Sequence, residues 1–134
     1  MARKKKQRLP EYTLHVFHHF DDRVRKMLQV FLVRTVKEFT NFNYEILLDM
    51  AVVERTIQLK ILGLRTTALT MPGTGPAQGR KDFSDLSGSY QLSIVKLDGE
   101  ANVFAIDLSP GKITITGSPE SPFITVSDLP VPLS

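Results

Sequence analysis

Between Tyr12 and Phe20 apolar and polar positions alternate, with Leu14, Val16 and Phe20 on one side of an extended segment and His15, Phe17 and His19 on the other. A short strand is predicted there. Asp21 and Asp22 follow, placed where carboxylates cap the first N–H groups of a helix and suit its positive end. At about 100° per residue, Val24, Leu28, Phe31, Leu32, Thr35 and Phe39 fall on one arc of residues 22–40, and Arg23, Lys26, Arg34 and Lys37 on the opposite one. This pattern predicts an amphipathic helix, although Val30 and Val33 then project from its basic side. The competing reading is a strand in which Val30 and Leu32 alternate with their neighbours.

Asn41 and Asn43 can close the helix in the left-handed conformation. Two strands rich in Ile, Leu and Val follow, from Tyr44 to Val53 and from Thr56 to Leu64, the second alternating Ile57, Leu59 and Ile61 against Gln58 and Lys60. Between Thr66 and Ser89 the periodicity stops. Residues 71–81 hold three glycines and two prolines, so a long loop is expected at about 66–89. Asp98-Gly99 fits a two-residue hairpin turn and Ser109-Pro110-Gly111-Lys112 a type II turn, giving a meander with strands at about 90–97, 102–108 and 112–116. Beyond Gly117, the prolines at 119, 122, 130 and 132 exclude a central strand, while Phe123-Ile124-Thr125-Val126 can pair once at an edge.

The elements assemble into an α+β fold, one amphipathic helix packed on an antiparallel sheet of about five or six strands in two layers, with an all-β fold as the alternative if residues 24–40 are extended. Residues 1–10 form a flexible basic N-terminal arm, 11–117 a single domain, and 118–134 a Pro-rich extended C-terminal tail. No fixed-period repeat is present.

Charge refines this picture. Arg3, Lys4, Lys5, Lys6 and Arg8 are five of the seventeen basic residues; twelve remain against fourteen acidic ones, so the body carries −2 while the chain carries +3. The positive charge belongs to the arm. There is no cysteine, which removes disulfides, thiolate nucleophiles and thiolate-ligated zinc together. No apolar segment follows the basic start as in a signal peptide, and no apolar run approaches the ~18 residues of a membrane span. A cytoplasmic protein with no membrane partner is expected.

Several features could carry chemistry. The arm can neutralise phosphates without sequence preference, and Arg23, Lys26, Arg34 and Lys37 would extend it as a stripe for nucleic acid or an acidic partner. Val30 and Val33 within that stripe suggest instead an apolar interface centre with a polar rim. His15, His18, His19, Asp21 and Asp22 are the one cluster of metal-ligand types, but residues four apart on a strand stand about 13 Å apart, too far for His15 and His19 to share a zinc. No nucleophile accompanies the histidines. Gly73, Gly75 and Gly79 fit neither phosphate-loop nor dinucleotide spacing. The leading expectation is a non-catalytic, self-associating binding or assembly module that contacts itself or another protein and uses no cofactor. The alternative is nucleic-acid or ribonucleoprotein binding through arm and stripe, and a second is a small enzyme built on His15, His18 and His19.

Overall fold

The computed structural model describes residues 9–40, 44–66 and 75–132, and every helix or strand among them is a strand. In chain order these are β1 (Tyr12–Asp21), β2 (Lys26–Phe39), β3 (Tyr44–Val53), β4 (Thr56–Thr66), β5 (Gly75–Phe83), β6 (Ser89–Val95), β7 (Ala101–Ser109), β8 (Lys112–Gly117) and β9 (Ile124–Ser127). The expected α+β fold is overturned, and the all-β alternative is the one adopted. The helix expected over 22–40 is instead a turn and the strand β2, which pairs with the expected strand β1 from Asp21↔Lys26 to Tyr12↔Thr35.

Burial on both sides of β2 explains the difference. Gln29 to Val33 are five consecutive buried residues, a run whose periodicity cannot separate a doubly covered strand from a buried helix. Phe31 and Val33 enter the main core, whereas Val30 and Leu32 pack with Phe17 on the outer face beneath Val131. The carboxylate read as a helix cap does accept a backbone N–H, that of Arg23 at 2.9 Å, but closes a hairpin turn with Arg25 at φ 54°.

The strands form one sheet in the order β8-β7-β6-β4-β3-β5-β2-β1-β9. It curls into a nearly closed barrel, bringing β1 against β8 from the opposite end of the order. Strict alternation on β4, β6 and β7 sends Ile57, Leu59, Leu92, Ile94, Phe104, Ile106 and Leu108 inward to meet Leu14, Val16 and Phe31. Each such side chain contributes about 1.5–3 kcal/mol by leaving water. The meander of β6, β7 and β8 is antiparallel, although residues 96–100 make its first connection wider than a two-residue turn.

β5 occupies part of the segment that reads as a loop; residues 67–74 lie outside the described residues. Its buried positions are Ala77 and Gly79, and only Phe83 at its end adds a large apolar side chain to the core, so the apolar alternation that announces a strand is missing. Small residues are required because β5 runs parallel against β3 at Glu45↔Gln78. A Cβ on Gly79 would lie 2.4 Å from the Ile46 carbonyl oxygen. β2 bulges between Arg34 and Glu38, where Thr35 Oγ1 accepts the Ala77 N–H at 2.8 Å and donates to the Lys37 carbonyl at 2.7 Å.

The chain closes by adding β9 in parallel to β1. Phe123 and Ile124 are fully buried. The Phe123 carbonyl accepts N–H groups from Glu11 and Tyr12 at 2.7 and 3.2 Å, and its own N–H donates to the Oδ1 of buried Asn102 at 2.9 Å. Among the described residues no helix is long and apolar enough to cross a membrane.

Candidate functional site

The hairpin register decides where each candidate cation stands. Arg23 lies in the turn and Lys26 at the first pair of β2, so both mark the tip of the β1–β2 hairpin beside exposed Arg25. Arg34 and Lys37 lie at the other end of β2, eight and eleven residues on. At about 3.3 Å per residue, Lys26 and Lys37 are roughly 36 Å apart. The expected stripe is therefore two separate groups. Arg3, Lys4, Lys5, Lys6 and Arg8 lie outside the described residues, but Leu9 and Pro10, which follow them, emerge at the Arg34 and Lys37 end, where the Val36 N–H donates to the Glu11 carbonyl at 3.0 Å.

A groove of about 420 Å3 opens at that point between the start of β1 and the end of β2, with Leu9, Tyr12, Val36, Lys37, Phe39 and Leu64 in its walls. Lys37 Nζ lies 5.4 Å from the centre of the Phe39 ring, and Phe39 packs on Tyr44 with ring centres 4.8 Å apart. Arg65 sits nearby on β4, paired in the register with Glu45 and holding its carboxylate at 3.0 and 3.2 Å. Arg34 is half-buried, and its Nε, out of contact with solvent, has no hydrogen-bond partner among the described residues.

Glu11 is the acidic side chain lining this groove, and it is engaged elsewhere. Lys96 Nζ donates to its Oε2 at 2.5 Å, lies within 3.7 Å of Asp98 and 3.4 Å of Glu100, and stands 5.2 Å from the Phe123 ring centre. The bond to Glu11, reinforced by the surrounding carboxylates, raises the Lys96 pKa above the ordinary lysine value. Burial, together with the charge of Glu11, raises the Tyr12 phenol, which stays neutral in the groove.

The histidines do not converge. His15 and His19 project from the outer face of β1, where His15 Nδ1 is 3.2 Å from the Leu129 carbonyl oxygen, whereas His18 pairs with Gln29 on the inner face. Among the described residues no group of three His, Asp or Glu side chains is arranged to hold a metal ion. Val30 and Val33, expected as an exposed interface, are both fully buried. They belong to two different clusters on opposite faces of β2, and neither can reach a partner.

His18 instead lines a second cavity, of about 720 Å3, at the hairpin-tip end of the barrel. Its walls come from β1 and β2, from residues 84–87, and from the β7–β8 turn at Pro110 and Gly111. Gln29 is 6% exposed, and its Oε1 accepts the Leu86 N–H at 3.1 Å, which ties the 84–87 segment to the sheet. The sequence held a signal for this site: Gln29 interrupts an apolar run from Met27 to Val33, a position where a polar side chain needs a partner. Comparison with family models, curated proteins and solved structures found no match.

Proposed function

We propose that this protein binds single-stranded nucleic acid, alone or within a ribonucleoprotein, through the basic arm and the groove from which it emerges. One observation supports the reading: Leu9 and Pro10, which follow a tract with five positive charges in the sequence, line the groove together with Lys37 and Phe39, the latter packed on Tyr44. A single strand is bound by combining phosphate neutralisation with aromatic faces on which bases stack. The capture of Glu11 by Lys96 reduces the repulsion a polyanion would meet at the groove. Lys37 supplies positive charge in its wall and Arg34 lies at the same end of β2, while Arg23 and Lys26 are too distant to join the same short contact. A cytoplasmic setting, where such partners occur, is part of the same reading.

Fluorescence anisotropy with a short labelled oligouridylate tests this. Deleting residues 2–8 removes five positive charges and flattens the dependence of log K on log salt by up to about 3.5, at ~0.7 per neutralised phosphate on a single strand. Phe39→Ala weakens binding by the ~1–3 kcal/mol of one stacked base. Unchanged affinity after the deletion, or an equal loss from Arg23→Glu at the remote tip, refutes the assignment.

A further inference from the structure

The hairpin-tip cavity lies at the other end of β1 from the arm and takes no part in the reading above. Its lining divides by chemistry. Leu108 on β7, together with Met27 and Pro110, supplies an apolar surface, and the pairing of half-exposed Phe20 with Met27 continues that surface along the projecting hairpin. A volume of about 720 Å3 is in the range that encloses small organic molecules.

The polar groups are few and placed on distinct walls. Gln29, almost wholly buried, has committed its oxygen to Leu86, so what it offers the interior is its amide N–H donors. Asp85, next to Leu86 on the 84–87 segment, is the residue with a formal charge at neutral pH among those lining the cavity. It makes no ion pair among the described residues, in contrast to Glu11, Glu45 and Asp82, each of which has a basic partner. A lone carboxylate beside an apolar wall is complementary to a cation attached to an apolar body.

We propose that this cavity is a binding site for a small aromatic amine: its ring lies against Met27, Leu108 and Pro110, a ring substituent accepts from the Gln29 amide, and its ammonium group pairs with Asp85. A carboxylate analogue of the same shape would face Asp85 with like charge. The 84–87 segment joins the two halves of the site, because Leu86 is held to Gln29 while Asp85 meets the ligand. Binding here therefore uses residues that the arm groove does not contain.

Proton–nitrogen correlation spectra of the full chain, titrated with para-methoxyphenethylamine and separately with para-methoxyhydrocinnamate, test the proposal. The amine is expected to shift the backbone amides of Gln29, Leu86 and Gly111 in a saturable way and to bind at least threefold more tightly than the acid. Asp85→Asn, at an exposed position that leaves the core intact, is expected to weaken the amine about three- to fivefold, the size of a solvent-exposed ion pair, and to leave the acid unchanged or tighter. Shifts centred away from these amides, equal affinity for amine and acid, or an Asp85→Asn chain that binds the amine as before would each overturn it. None of these readings changes if the nucleic-acid assignment fails, since the deletion of residues 2–8 is silent here.

Discussion

Gly79→Ala tests the close approach of β5 to β3. The new methyl carbon would lie 2.4 Å from the Ile46 carbonyl oxygen and 3.1 Å from both Ile46 Cβ and Leu48 Cγ. Ordinary contact begins near 3.4 Å, so β5 and β3 must separate by close to an ångström at the point where they meet. Overpacking of this kind costs about 1–3 kcal/mol. An opposing effect exists, because alanine reduces the freedom of the unfolded chain and stabilises by about 0.4–1 kcal/mol where the native φ suits it. Gly79 is not among the positive-φ glycines, so that gain applies, but the backbone clash is larger. The net expectation is a loss of about 1–2 kcal/mol. At ~2.1 cal/mol/K of unfolding entropy per residue, this lowers the melting temperature by roughly 4–7 °C. Gly75→Ala on the same strand is the control, because a methyl group there meets nothing within 4 Å. It should be neutral or slightly stabilising. Thermal melts followed by far-ultraviolet circular dichroism compare the two, and equal melting temperatures would show that the β3–β5 approach does not restrict this position.

Other contacts give sharper local tests. Asn102→Ala removes the acceptor of the buried Phe123 N–H and should cost about 1–3 kcal/mol in urea unfolding, whereas loss of the Asn102 side chain without any change in midpoint would mean that this bond contributes nothing. Lys96 has a raised pKa, so its contribution is fully present below the ordinary lysine value of 10.5 and is lost as pH climbs through the higher folded value. Stability measured upward from pH 10 should therefore fall more steeply for the parent chain than for Lys96→Met, and parallel curves would remove the carboxylate cluster as its cause.

Residues that signal only one environment were legible in the sequence, and those shaped by a second layer were not. Ile57, Leu59 and Ile61 alternate on a strand with one exposed side, and Asp98-Gly99 and Pro110-Gly111 supply turn chemistry that needs no distant partner. β2 was hidden because Val131, about a hundred residues later in the chain, covers Val30 and Leu32, filling in the polar half of the alternation. β5 was hidden for the converse reason: its inward side must be small to pass Ile46, so it offers Ala77 and Gly79 where a strand usually offers Val or Ile. The sites followed the same division. Charge on the arm could be read directly, but the partition of Arg23 and Lys26 from Arg34 and Lys37 follows from helix or strand geometry, and a helix would have kept all four on one face.

The same strand geometry separates the two proposed sites. β1 spans ten residues, about 33 Å at 3.3 Å per residue, with the arm groove at Tyr12 and the cavity at His18 and beyond. Ten consecutive pairs with β2 make the hairpin between them continuous, with its single neighbouring bulge confined to the groove end. Coupling between sites requires an element with two arrangements that both ligands bias. An unbroken ladder offers no alternative register here, because a one-residue slip would send Phe31 and Val33 outward and Val30 and Leu32 inward against differently shaped clusters. Oligouridylate and aromatic amine should accordingly bind independently. Affinity for one that changes with saturation by the other would place a movable element between them, and residues 84–87, tied to β2 through the single Gln29–Leu86 bond, are where the described structure could supply it.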